Sequence, residues 1–166
     1  MNADSIRTLH TYNYAQHRRL WESILMLSEA QFTQEFDYSI GSIRNHMVHV
    51  MSVDERWLAR VQDVPAPDRL DPAPFDSRRA VFEYWVGVER RVLDCVAHLD
   101  DAQLLREVTY PVSRFPEPVT NTVWQILVHM VNHGTDHRAQ VLALLHRLGA
   151  PTFEHDLIIY LWDHDA

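Results

Sequence analysis

The sequence has little cysteine and no long apolar run. Its single cysteine, Cys95, excludes a disulfide within the chain and a CxxC metal site. Cys95 lies among Val92, Leu93 and Val96, so we expect a small buried side chain and not a nucleophile. No stretch approaches the ~20 consecutive apolar residues that span a bilayer, and the N-terminus lacks the basic-then-apolar layout of a signal peptide. We therefore expect a cytoplasmic protein.

An excess of positive charge is also absent, since the formal net charge is −8. A broad nucleic-acid interface needs a clustered positive surface. We therefore expect neither a nucleic-acid nor a membrane partner, and we interpret the pair Arg18–Arg19 as a solvated helix face. Apolar residues make up 46% of the 166 residues, which is enough for the core of one domain covering residues 1–166.

Glycine is scarce, and most of the prolines are confined to two stretches, residues 64–76 and 110–120. Proline is excluded from helix interiors because it lacks a backbone N–H and clashes with the preceding turn, so these stretches are connections. Apolar residues at three- and four-residue spacings predict four helices in the blocks around them. The predicted helices span about residues 5–28, 41–61, 76–99 and 120–148.

The ends of these helices carry recognisable signals. Ser39 or Ser42 can cap the second helix, Asp76 the third and Thr120 the fourth, because their side-chain oxygens can accept from free backbone N–H groups. Gly149 is expected to end the fourth helix in a left-handed conformation.

Four long helices without a convincing sheet predict an all-α fold, a four-helix bundle. Residues 106–115 alternate weakly and allow a short strand pair. The apolar segment 156–163 allows either a short C-terminal helix that closes the bundle or an element of a subunit interface.

Histidine is concentrated in the fourth predicted helix. His133 and His137 are four residues apart, so both imidazoles lie on one helix face, a common spacing for metal ligands. The HExxH pattern is not matched, because Gly134 follows His133. A bound metal would therefore need a third ligand from another part of the chain.

The second predicted helix offers that ligand. His49 lies in its inward apolar stripe, between Met47 and Val50, and His46 is the alternative. Three unpaired imidazoles in a bundle core would be costly. A metal ion coordinated by these imidazoles would satisfy their buried nitrogen atoms and would explain why the helices carry them.

Four stretches together resemble the DinB-like family of metal-binding four-helix-bundle proteins, which is related to thiol-dependent transferases and maleylpyruvate isomerases. They are TYNYAQHRRLWESILMLSEAQF, SIGSIRNHMVHVMSVDERWL, TVWQILVHMVNHGTDHRAQVLALLHRLG and HDLIIYL, and they cover most of the chain. The resemblance implies up-down-down-up connectivity, a homodimer and a divalent metal held by His49, His133 and His137. One departure is Ala139, where the family often has glycine.

Three neutral histidines leave coordination positions open for a small molecule. Zinc and nickel are the expected metals, although imidazole suits several others. The resemblance implies a metal-dependent enzyme similar to thiol S-transferases, with a low-molecular-weight thiol as a further cofactor. The alternatives are a metal-dependent hydrolase and a non-catalytic, stress-associated dimer that binds metal or small molecules.

Several polar residues are candidates for the surroundings of this site. Asn45 lies one turn before the second-helix ligand on the same face, and Tyr14 and His129 could face the cavity. Asp136 and Asp54 could orient a ligand imidazole through its other nitrogen, but we interpret both as surface charges. No general base can be named.

Overall fold

The computed structural model of the chain describes residues 1–164 and is mainly helical. The four predicted long helices are present, and shorter elements connect them. In chain order the elements are α1 (Ala3–Ile24), α2 (Glu29–Thr33), α3 (Ile43–Val61), α4 (Arg78–His98), α5 (Asp101–Leu104), β1 (Glu107–Tyr110), β2 (Val119–Thr122), α6 (Val123–Arg147) and α7 (Leu157–His164). Among these residues, no helix combines the length and apolar character that a bilayer crossing requires.

Hydroxyl caps begin two of the long helices. Ser42 accepts from the backbone N–H of Asn45 at 3.2 Å and begins α3, so one of the two expected caps is confirmed. The expectation that Asp76 caps the third long helix is wrong. Ser77 takes that position in extended backbone and accepts from Ala80 N at 3.2 Å, so the cap lies one residue later than expected and α4 begins at Arg78.

A short sheet replaces the expected first turn of the fourth long helix. β1 pairs antiparallel with β2, with Glu107 opposite Thr122 and Tyr110 opposite Val119. The expectation that Thr120 caps this helix is therefore wrong, because Thr120 lies in a strand paired with β1, opposite Thr109. β1 lies in the segment where a strand was allowed, whereas β2 lies beyond it.

The directions of the long helices follow from the contacts between them. α1 packs against α4 and α6, and α3 also packs against α4 and α6. His10 contacts Leu127, and Asn13, later in α1, contacts Arg138, later in α6. The contacts therefore follow the same order along both helices, so α1 and α6 run parallel. α3 and α4 run in the opposite direction. The bundle is therefore up-down-down-up.

Two tryptophans pack close together in the core. Trp21 of α1 and Trp85 of α4 are each 1% exposed, and their ring centroids lie 6.1 Å apart. Trp162 of α7 is 67% exposed, so the tryptophans are divided between the core and the surface.

Gly149 has φ 69° just after α6, which confirms the expected left-handed helix end.

Candidate metal centre

The antiparallel contact between α3 and α6 brings three histidines together. His49 comes from α3, and His133 and His137 come from successive turns of α6. One potential ligand nitrogen from each lies within 4.8 Å of the others. His49 Nε2 and His133 Nε2 are 3.1 Å apart, and the ring centroids of His133 and His137 are 4.5 Å apart. We call these three residues the histidine triad.

The triad is electrically neutral at pH 7. Burial, together with the neighbouring histidines, lowers the pKa of His133 to about 3 and that of His49 to about 4. Burial also lowers the pKa of His137. A neutral imidazole has a lone pair on one ring nitrogen, which is the form that binds a metal ion.

The geometry and chemistry of the triad fit a divalent ion. Tetrahedral ligands with bonds of about 2.0–2.1 Å are about 3.3 Å apart, and the observed separation of His49 Nε2 and His133 Nε2 is 3.1 Å. Imidazole nitrogens suit zinc, nickel and related ions. No fourth His, Cys, Asp or Glu joins the group within residues 1–164, so ligation by these side chains alone would leave coordination positions open.

His46, the alternative ligand from the sequence, is fully buried and contacts the triad from behind. Its Nδ1 lies 2.9 Å from Nδ1 of His137. One of these nitrogens must carry a hydrogen, because two lone pairs at this distance would repel each other. The Nε2 atom of His46 is buried and has no hydrogen-bond partner among the described side chains and backbone. His46 therefore bonds to a triad member instead of belonging to the triad.

A cavity of about 380 Å³ opens beside His49. Its other lining residues come from the start of α3 and the two connections that flank α3, and they are Ile40, Asn45, Arg69, Leu70, Asp71 and Pro72. The structure thus places Asn45 next to the triad, where its Nδ2 donates to Ile40 O at 3.0 Å. Sequence reasoning missed Arg69, because a proline-rich connection carries no periodic signal that relates it to a helix face.

His129 lies on the other side of His133 and packs against an aromatic ring. Its ring centroid is 5.1 Å from that of Trp57 and 5.9 Å from that of His133. Together with Trp57 and Tyr110 it lines a separate cavity of about 250 Å³. The structure does not bring His129 into the group that could hold the ion.

Tyr14 and Asp54 form a buried pair in the centre of the bundle. The Tyr14 hydroxyl donates to Asp54 Oδ2 at 2.8 Å, and each residue is 2% exposed. The expectation that Asp54 is a surface charge is wrong. Asp54 lies on a different face of α3 from His49, and that face packs against the core. Burial raises the pKa of Asp54 to about 7, although the hydrogen bond from Tyr14 opposes this shift.

Asp136, in contrast, is exposed, as expected for a surface charge. It forms no hydrogen bond to a triad imidazole within the described part of the chain. Its charge raises the pKa of His133 and His137 and so partly opposes the effect of their burial.

Arg138, next to His137, is fully buried and was not singled out from the sequence. Its guanidinium donates to four side chains, so its buried charge is solvated by hydrogen bonds instead of a carboxylate. The acceptors are Asn13 Oδ1 at 2.9 Å, Thr135 Oγ1 at 3.1 Å, Tyr12 Oη at 3.2 Å and His155 Nδ1 at 3.3 Å. His17 Nδ1 also lies 3.2 Å from the guanidinium, but it donates to the backbone oxygen of Asn13 at 2.9 Å. The network joins α1 and the segment before α7 to the turn of α6 that carries His137.

The fold and the triad together define a class of protein, a four-helix bundle with a histidine cluster built from two facing helices. The sequence model described as DinB family matches residues 1–165. The chain therefore belongs to the DinB family, which confirms the resemblance found in its sequence. Protein DinB of Bacillus subtilis (strain 168) is 21% identical over 161 residues, which cover 93% of this chain and 92% of that protein.

Solved structures share the fold at low sequence identity. A DinB-like protein from Bacillus cereus ATCC 10987 has a TM-score of 0.71 and 15% identity, covering 92% of this chain and 98% of that one. A conserved protein from Enterococcus faecalis has a TM-score of 0.66 and 13% identity, covering 82% and 92%. A DinB family member from Shewanella denitrificans has a TM-score of 0.55 and 9% identity, covering 93% and 85%.

Proposed function

We propose that the protein binds a divalent metal ion through His49, His133 and His137 and acts as a metal-dependent enzyme on small molecules, similar to thiol S-transferases. The observation that supports this most directly is the convergence of three neutral imidazoles within 4.8 Å. When bound, the ion would supply Lewis-acid activation of a thiol or another small donor molecule.

The surroundings of the triad favour chemistry over a purely structural ion. Structural zinc sites are normally closed by four protein ligands, whereas three side chains are gathered here. His49 also lines the cavity of about 380 Å³, a size that accommodates a small molecule. A small molecule in this cavity would therefore lie against a triad member.

Metal binding is tested by elemental analysis of protein purified without a histidine tag. We expect about one divalent ion per chain in the wild type and loss of the ion in His49→Ala and His133→Ala, because each removes one of three ligands. His146→Ala is the matched control, since His146 is an exposed histidine of α6 outside the triad. Retention of the ion in both triad variants would contradict the proposal.

A non-catalytic role is the second candidate, and one feature of the site favours it. Within residues 1–164, no acidic side chain hydrogen-bonds to a triad imidazole, and Asp71, the acidic residue that lines the cavity, accepts from the backbone N–H of Ala73. In this role the ion would stabilise the fold, and the protein would bind metal or small molecules without turnover.

Two measurements on the metal-loaded protein separate these roles. If the site is catalytic, we expect metal-dependent conjugation of a thiol to an electrophile, or metal-dependent hydrolysis of an ester. If it is not catalytic, we expect a large drop in melting temperature with a chelator and no turnover in either assay.

A further inference from the structure

The cavity beside His49 contains a positive side chain without an ionic partner. Arg69 Nη2 lies 3.5 Å from His49 Nδ1. Arg69 forms no ion pair with any residue of the described range 1–164. Asp71 lines the same cavity, but its Oδ1 accepts from the backbone N–H of Ala73 at 3.0 Å. The guanidinium is therefore available to a ligand in the cavity.

The connection that carries Arg69 is anchored on α3. The backbone N–H of Leu70 donates at 3.0 Å to the hydroxyl of Ser52, a buried residue one turn after His49. Leu70 also packs against the hydrophobic core. Pro67 and Pro72 restrict the backbone on either side. This anchor holds Arg69 beside His49 although its side chain is exposed.

The two ring nitrogens of His49 face different partners. Nε2 faces His133, and Nδ1 faces Arg69. If Nε2 binds an ion, Nδ1 must carry the ring hydrogen and can no longer accept from Arg69. The guanidinium is then free to donate to another acceptor, and its positive charge beside a divalent ion favours an anion between them.

We propose that this cavity binds a small carboxylate, with its carboxylate group on Arg69 and its carbon chain against Ile40, Leu70 and Pro72. The planar guanidinium matches a carboxylate through two parallel hydrogen bonds. The negative charge of Asp71 on the same wall disfavours a second free carboxylate, which specifies a monocarboxylate. This inference rests on the proposed function, because it names the substrate class of the same site.

Three thiols that differ in the charge of their tails test the inference. They are 3-mercaptopropionate, 2-mercaptoethanol and cysteamine, and their binding to Co²⁺-loaded protein is followed by calorimetry and by the visible absorption of Co²⁺. We expect the wild type to bind the carboxylate thiol about tenfold or more tighter than the neutral one. Cysteamine, whose tail is cationic, should bind most weakly.

The variants R69Q and R69K identify the source of this preference. R69Q should lose it, and R69K should retain part of it, because lysine keeps the charge but not the paired donors. R90Q is the matched control, since Arg90 is an exposed arginine of α4 that does not line the cavity. Arg69 is exposed, so all three variants should melt close to the wild-type temperature.

The possible failures are distinguishable. If the wild type takes up no Co²⁺, the proposed function fails, and the carboxylate inference fails with it. If Co²⁺ binds but the wild type shows no preference for 3-mercaptopropionate, or R69Q keeps the preference unchanged, the carboxylate inference alone is overturned.

Discussion

His46 contacts the triad in the way that partners of metal-binding histidines commonly do. A ligand histidine usually donates a hydrogen bond from the N–H of its second ring nitrogen to a neighbouring acceptor, which holds the ring in one orientation. His46 Nδ1 lies 2.9 Å from Nδ1 of His137 and can accept from it. That arrangement leaves the lone pair of His137 on Nε2. The ring hydrogen of His46 is then on its own Nε2 atom, which is buried and has no hydrogen-bond partner within the described residues.

We predict that His46→Leu weakens the binding of Zn²⁺ or Co²⁺ by about 10–100-fold, because it removes the partner that orients His137. His46→Asn should retain part of the affinity, since its side-chain oxygen can accept in place of Nδ1. Affinity is measured by competition with a chelator. NMR of the ring nitrogens in metal-free protein reports whether His137 changes tautomer. Equal affinities of wild type and His46→Leu would show that His46 has no such role.

Asp54 and Tyr14 place an ionisable pair in the core, away from the cavity. The pKa of Asp54 is raised from 3.8 to about 7, mainly by burial. In the unfolded chain the carboxyl loses its proton near its ordinary pKa, whereas in the folded protein it keeps the proton until about pH 7. The stability that Asp54 contributes is therefore present below about pH 4 and is lost as the pH rises to about 7.

Replacing Asp54 with Asn should remove this dependence on pH. We expect the free energy of unfolding of the wild type, minus that of Asp54→Asn, to fall by about 1.4 kcal/mol per pH unit between about pH 4 and pH 7. Urea unfolding at several pH values measures the difference. The buried histidines titrate in both proteins and cancel from it. A difference that is independent of pH would mean that Asp54 titrates normally.

The approach of α1 to α6 depends on a residue without a side chain. A Cβ atom at Gly134 would lie 2.6 Å from Asn13 Oδ1 and 3.1 Å from His17 Cε1. Asn13 Oδ1 also accepts from Arg138, and His17 Nδ1 lies 3.2 Å from the Arg138 guanidinium. The glycine therefore allows the two helices to share the polar network beside His137.

We predict that Gly134→Ala destabilises the protein by about 1–3 kcal/mol, because the methyl group would push α1 away from α6. Gly87→Ala in α4 is the control. A Cβ atom there meets only the flexible end of Arg91 at 3.4 Å, so better helix propensity should stabilise the protein by about 0.5–1 kcal/mol. Chemical denaturation of both variants provides the comparison, and equal effects would contradict the close contact.

The assembly of the chain stays a prediction, and we propose a homodimer that uses the exposed face of α7. Ile158 is 52% exposed and Trp162 is 67% exposed, although the neighbouring Tyr160 is buried against the bundle. Large apolar side chains clustered on one exposed face often mark an interface.

Replacing both Ile158 and Trp162 with serine should convert a dimer into a monomer, because it removes the apolar surface that a partner would cover. Light scattering coupled to size-exclusion chromatography measures the mass at several protein concentrations. Leu105→Ser is the control, since Leu105 is 67% exposed but lies outside α7. A wild type that is monomeric throughout, or a double variant that is still dimeric, would exclude this interface.

The parts of the site that could be predicted from the sequence are those that depend on interactions between residues close together in the chain. The pairing of His133 and His137 depends on one helical turn, so spacing alone predicted it. His49 was predicted from the apolar stripe of its own helix and from the family resemblance. Thr120, in contrast, was wrongly predicted as a helix cap. It lies in β2, whose pairing with β1 forms only after the loop between the two strands folds.

Helical periodicity and the exclusion of proline act over a few residues, so the amino-acid pattern was enough to place the four long helices and the HxxxH pair. The convergence of His49 with that pair, the bond from His46, the burial of Asp54 and the position of Arg69 required the folded chain. Each depends on which face of α3 meets which neighbour. That choice is made by packing over the whole core, and no local spacing encodes it.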